Sequence, residues 1–153
     1  MKLSKLIYSL ILCFIVALLG SAVTIPSLQN WYRILHKPFF TPPDFIFGLV
    51  WTILYILMAV SLALVLSSKK KKKLALQFFF TQLFLNFLWP LVFFGLHLTI
   101  GGLIMNVLLF IAILQTMHLF RAISTQASAL LMPYLVWVGF AAVLNCSVVF
   151  MNF

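Results

Sequence analysis

Apolar residues fill this chain in five long runs, over 6–25, 45–66, 74–94, 100–120 and 129–150, and polar residues collect in the short stretches between them. A helix needs about 20 consecutive apolar residues to cross the hydrocarbon core of a bilayer. Each run meets that length and is apolar on every side. The strands of an outer-membrane barrel would instead alternate apolar and polar positions. The pattern predicts an all-α fold: an integral membrane bundle of five transmembrane helices, forming one domain over 1–153.

The longest interruption, 26–44, has an unusual composition. From Trp31 it runs Tyr32, Arg33, Ile34, Leu35, His36, Lys37, Pro38, Phe39, Phe40, Thr41, Pro42, Pro43. Each proline fixes its own φ and biases the residue before it away from helix. The segment is therefore expected to be stiff, extended and non-helical, an aromatic lid over one end of the bundle.

Helical spacing sorts each span into faces. In the third, Gln82, Asn86, Trp89 and Phe93 fall within about 60° of one another at 100° per residue. An amide in hydrocarbon needs a partner, so this face is expected to point inward. Phe47, Trp51, Tyr55 and Met58 share a face of the second span. Tyr134, Trp137, Ala141 and Asn145 share one of the fifth, and Gly102, Asn106, Leu109 and Thr116 one of the fourth. Ser9, Cys13, Ala17, Gly20 and Thr24 make a small-residue stripe on the first, suited to close helix packing. Two readings of the tryptophans stay open: an interior aromatic pocket, or a belt at the headgroups with ordinary core packing. Pro90, directly after Trp89, is expected to kink the third span, while Pro42, Pro43 and Pro133 read as helix starts.

Charge sets orientation more than partners. Charged residues make up 7% of the chain, with ten Lys and Arg against one acid, Asp44. In a soluble protein a net charge of +9 would suggest nucleic acid. Here five lysines at 69–73, with Lys2, Lys5 and Arg121, lie on one side of the predicted bundle, leaving Arg33 and Lys37 on the other. Positive charge collects on the cytoplasmic side. The amino terminus is thus expected inside, the carboxyl terminus and first loop outside, in a prokaryotic plasma membrane, with no nucleic-acid partner. The lysine run reads as a solvated orientation signal, with contact to anionic lipid as the alternative. The first span is read as retained, not as a cleaved leader, because its apolar stretch is long for one.

Catalytic chemistry based on acids is close to excluded, since Asp44 has no second carboxylate to work with. Cys13 and Cys146 lie in different spans with no CxxC spacing and read as small packing residues. His36, His97 and His118 are too scattered for a ligand set, so neither a metal nor a cofactor is expected.

Ordered motifs remain: Trp31-Tyr32 with Leu35, Lys37-Pro38 and Pro42-Pro43; Gly48-x-x-Trp51-x-x-x-Tyr55; Asn86-Phe87-x-Trp89-Pro90 with Phe93-Phe94-Gly95; and Pro133-Tyr134-x-x-Trp137-x-x-Phe140-Ala141 with Leu144-Asn145. Together they resemble the TspO/MBR family of tryptophan-rich sensory proteins, translocator proteins and peripheral benzodiazepine receptors. The resemblance runs from Trp31 to Asn145. It implies a five-helix bundle, often a homodimer, with a pocket opening near the first loop. The candidate ligand-binding residues are Tyr32, Pro42, Phe47, Trp51, Tyr55, Asn86, Trp89, Phe93, Trp137 and Ala141. The implied ligands are tetrapyrroles such as protoporphyrin IX, together with synthetic isoquinoline carboxamide and benzodiazepine-type compounds. The resemblance also implies light- and oxygen-dependent porphyrin degradation through Trp51 and Trp137 as candidate catalytic residues. The alternative is a translocator or sensor without turnover.

Two departures limit what carries over. The family's sterol-binding motif, with a tyrosine and a terminal arginine, is missing from 144–150, and Asn106 and Gly102 stand where animal relatives carry an aspartate and a tryptophan. A planar ligand suits the residues that remain, because aromatic rings offer faces for offset stacking. Arg33 and Lys37 are placed to neutralise propionates, or equally to meet lipid at the same face.

Overall fold

The computed structural model describes residues 2–152. Its helices are α1 (Leu3–Gln29), α2 (Trp31–Ile34), α3 (Asp44–Ser67), α4 (Lys73–Pro90), α5 (Thr99–Ile123), α6 (Thr125–Leu130) and α7 (Met132–Met151). Five spans are long and apolar enough to cross a membrane, with α6 and α7 forming the fifth and a π-helical turn extending α4 to Gly95. The chain is an integral membrane bundle. Around it, α1 packs on α3 and α4, α4 on α5, and α5 on α6 and α7. The ring closes where α3 meets α6, while α3 touches α7 only lightly.

Polar side chains fasten the lysine end. Ser61 donates to the Ala127 carbonyl at 2.7 Å and Ser128 to the Met117 carbonyl at 2.9 Å. Ser124 caps α6 by accepting from the Ala127 N–H at 3.2 Å, satisfying one of the free donors at a helix start. Two of the five lysines are not simply solvated. Lys72 folds its ammonium onto the carbonyls of Leu66 and Ser68 at the end of α3, and Lys70 reaches the Ala122 carbonyl near the end of α5. Positive charge at a helix C-terminus satisfies orphan carbonyls and complements the dipole. The run therefore also finishes two helices.

The first loop differs from expectation at its start. Helix α1 continues through Pro26 to Gln29, and Trp31–Ile34 forms a helical turn, so only Asn30 and 35–43 are non-helical. Proline disrupts the turn preceding it and blocks helix only at the residue before it. With no proline between Pro26 and Pro38, nothing prevents 31–34 from coiling.

Pro90 is followed by an irregular turn. The chain passes into a π-helical turn at Leu91–Gly95, in which the Leu96 N–H reaches the Leu91 carbonyl at 2.8 Å. Such single π turns absorb an extra residue within a helix. His97 follows with φ 58°, the one positive φ at a non-glycine among the described residues. Its imidazole stacks on Trp31 with centroids 4.5 Å apart, tying this turn to the first loop.

Candidate functional site

Asn86 organises the interior. It is buried on α4, and its Oδ1 accepts from the Tyr55 hydroxyl of α3 at 2.7 Å. Its Nδ2 donates to the Tyr134 hydroxyl of α7 at 2.6 Å. One amide thus joins three spans, as a polar group in hydrocarbon must when water is absent.

Directly beside this node lies a cavity of about 250 Å³. Its deep wall is Asn86, Trp89, Pro90 and Phe94, with Tyr55 opposite. Phe47, Gly48, Trp51 and Thr52 supply the α3 wall, with Asp44 at the rim. The α1 wall is Phe14, Ala17, Gly20, Ser21, Thr24, Ile25 and Leu28, and Tyr32 closes the end near the first loop. Gly20 allows this geometry: a Cβ there would sit 3.4 Å from the Pro90 ring, so α1 lies directly against α4 at that level.

Aromatic contacts hold the walls in place. Trp89 stacks on Phe93 with centroids 5.5 Å apart and meets Phe94 edge-on at 5.6 Å. Tyr32 meets Phe94 edge-on at 5.5 Å and Phe93 at 6.2 Å. Trp51 lies 5.7 Å from Tyr55 and 6.2 Å from Tyr134. Offset and edge-on pairs of this kind contribute about 0.5–1.5 kcal/mol each beyond area burial.

Six of the ten candidate ligand-binding residues therefore line one cavity: Tyr32, Phe47, Trp51, Tyr55, Asn86 and Trp89. The other four do not. Phe93 is buried behind Trp89, Pro42 is half-buried in the loop before α3, and Ala141 is half-buried on α7. Trp137 lies one ring away from the cavity, edge-on to Phe47 at 5.9 Å and tilted against Phe140 at 5.5 Å. The α1 wall was not among the candidates. Its small-residue stripe is the signal that pointed there, and that stripe serves close packing and a cavity wall alike.

The cavity is largely apolar with a few directed polar atoms, the usual make-up of a small-molecule site. Among the described residues, the buried Trp89 indole N–H finds no acceptor. Thr24 and Thr52 satisfy their hydroxyls on the Gly20 and Gly48 carbonyls one turn back, leaving oxygen lone pairs free. Burial, with the Asp44 carboxylate adding to it, pushes the Tyr32 hydroxyl up to about 12, so this phenol is neutral and able to donate at physiological pH. Lys37 places its ammonium 4.6 Å from the Tyr32 ring centre and donates to the Tyr32 carbonyl at 3.0 Å.

A model of the TspO/MBR family matches residues 9–151 of this sequence. The chain belongs to the TspO/MBR family. It is 39% identical to the tryptophan-rich protein TspO of Archaeoglobus fulgidus, over 99% of each chain. It is 38% identical to protein CrtK of Rhodobacter capsulatus, over 84% of this chain and 82% of that one. The human translocator protein is 34% identical over 87% of this chain and 79% of its own. For a TspO/MBR protein, the α1, α3 and α4 walls now have named residues in this chain, and Trp137 stands outside them.

Proposed function

We propose that this protein binds a tetrapyrrole, with protoporphyrin IX as the reference ligand, against the walls formed by Trp51 and Trp89. The observation that carries the reading is the pairing of those two indoles with the Asn86 and Tyr55 polar pair in one apolar cavity. Flat conjugated rings stack on indole, and a small turn of the Trp89 ring on binding would bring its orphan N–H, buried in the empty protein, to an acceptor atom on the ligand. Isoquinoline carboxamides and benzodiazepine-type compounds have the same combination of planar ring and carbonyl acceptor, and belong to the same proposed ligand class. By the positive-inside rule, the lysine end faces the cytoplasm of a prokaryotic cell and the first loop faces outward.

Turnover is the narrower part of the reading. A bound porphyrin excited by light can pass its energy to dioxygen. The activated dioxygen adds across one methine bridge, and both oxygen atoms remain in the opened, bilin-like product. Trp51 lines the cavity and would hold the excited ring by stacking; any electron it lends returns as the dioxygen adduct opens, so dioxygen is the only oxidant and no metal or general acid is needed. Trp137 reaches the cavity only through Phe47. That separation favours the second reading, a translocator or sensor that binds without chemistry, in line with the printed names of the curated relatives.

Titration of the purified protein with protoporphyrin IX tests binding: the Soret band should shift and tryptophan fluorescence should fall. Illumination in air then separates the two readings. Degradation predicts loss of that band with bilin-like absorption, faster than for free porphyrin, and slowed by Trp51→Phe. Equal bleaching with and without protein leaves binding without turnover.

A further inference from the structure

We propose that the cavity takes its ligand sideways from the bilayer, through a slot between the first-loop halves of α1 and α3, and not from water through the first loop. This inference rests on the tetrapyrrole-binding reading above.

The slot follows from which cavity residues are covered. Asn86, Pro90 and Phe94 on α4 are buried, as are Gly20, Tyr32 and Tyr55. On the other side, Ser21 and Ile25 of α1, with Gly48 and Thr52 of α3, line the same cavity and are exposed, Ile25 at 56%. The α1–α4 seam cannot be the opening. Gly20 meets Pro90 there, and a Cβ on Gly95 would sit 3.2 Å from Val23. At Gly48, by contrast, a Cβ would meet nothing within 4 Å. The free edge of the cavity is therefore the α1–α3 seam, and in a membrane that seam faces acyl chains.

The aqueous end is closed by several independent ties. The Asn152 side chain, beyond α7, accepts from the His36 N–H at 3.0 Å and donates to the His36 carbonyl at 2.9 Å. This holds the loop to the other end of the chain. Lys37 grips the Tyr32 carbonyl, and Trp31 is stacked on His97. Access by that end would require all of these to part together.

Size and chemistry agree with the slot. A cavity of about 250 Å³ is below the usual ~300–1,000 Å³ of small-ligand sites, and is too small to enclose a four-ring macrocycle. A planar ligand inserted edge-on would place part of its ring between Trp51 and Trp89. The remaining edge would lie in the slot beside Ser21, Gly48 and Thr52, against lipid. The Ser21 hydroxyl in the slot offers a donor to the ligand's carboxylate substituents. A hydrophobic ligand is already concentrated in the bilayer, so a lateral route needs no step through water.

The test is stopped-flow binding of protoporphyrin IX to protein in lipid nanodiscs, comparing the unmodified chain with Gly48→Leu, Ser21→Leu and Asn152→Ala. Leucine at 48 projects into open space on a helix, so folding is expected to tolerate it. Lateral access predicts that both slot variants slow association by about tenfold, because the barrier to docking rises. Asn152→Ala should leave the association rate within twofold of the unmodified chain. Slot variants that bind at the unmodified rate overturn the proposal, as does faster association in Asn152→Ala. If the unmodified protein binds no porphyrin in nanodiscs, the tetrapyrrole reading itself fails and the lateral route falls with it.

Discussion

The Tyr55 hydroxyl donates to Oδ1 of Asn86 across 2.7 Å of bundle interior, joining α3 to α4 where the two spans otherwise face each other across the cavity. Because Asn86 also donates to Tyr134, its amide is a three-helix node and a cavity wall together. Stability and ligand binding therefore share one side chain.

Asn86→Ala leaves two buried phenols without their partner. An orphaned buried hydrogen-bonding group costs about 1–3 kcal/mol, but interhelical hydrogen bonds in membranes average only about 0.6 kcal/mol. A net loss of about 1–2 kcal/mol is expected from these limits. Thermal unfolding in detergent should show a lowered midpoint, and porphyrin affinity should fall with it. An unchanged midpoint would mean that the node contributes nothing to holding the spans together.

Glycines 48 and 102 should respond oppositely to added side chains. A Cβ at Gly102 would sit 2.5 Å from the Phe93 ring and 2.9 Å from the Asn145 amide, so α5 packs there with no space to spare. Gly102→Ala is expected to destabilise by about 1–3 kcal/mol through overpacking. Gly48→Ala meets nothing and should stabilise by up to about 1 kcal/mol through helix propensity. The same unfolding assay checks both signs.

Trp89→Phe keeps a ring to stack on Phe93 and removes the indole N–H that has no acceptor. Removing a buried orphan donor is neutral to stabilising for the empty protein, by at most about 1 kcal/mol. Binding of an isoquinoline carboxamide should weaken about tenfold if its carbonyl takes that N–H, since 1.4 kcal/mol corresponds to a factor of ten. Calorimetric titration of the two proteins with the same compound checks it. Unchanged affinity would separate the orphan donor from recognition.

Tyr32 gives the pH dependence its sign. Its hydroxyl is pushed up from an ordinary 10 to about 12 in the folded chain. Between those two values the folded state holds a proton that the unfolded state has lost, so stability falls as pH rises through that window. Below pH 10 the contribution is fully present. In a phenolate absorbance titration of the intact protein, the component that Tyr32→Phe removes should therefore lie near 12 and not near 10. The variant should also lose stability less steeply between pH 10 and 12.

The five spans were legible because hydrocarbon length leaves few alternatives for runs this apolar. The inward faces of α3 and α4 were legible for a related reason: Asn86 had to find partners and Trp89 lies one turn on from it, while Trp51 and Tyr55 share a face of α3. The helical turn at Trp31–Ile34 was hidden because proline signals act locally, and Pro38 restrains only Lys37 before it. The α1 wall was hidden because Ala17, Gly20 and Thr24 look the same whether they admit a neighbouring helix or leave a space. The position of Trp137 was hidden for a third reason. It depends on how far α7 stands from α3 near the first loop, an interhelical distance that no spacing along one helix encodes.

The most direct measurement is a Soret-band titration of protoporphyrin IX against the unmodified protein, Trp51→Ala and Trp137→Ala. With Trp51 in the cavity wall and Trp137 one ring outside it, Trp51→Ala should weaken binding by at least about tenfold, the loss of one stacking face at roughly 1.4 kcal/mol. Trp137→Ala should change it by less than about threefold, under 1 kcal/mol on the same scale. Equal weakening by both, or strong weakening by Trp137→Ala alone, would place the ligand between α3 and α7 and contradict the cavity described between α1, α3 and α4.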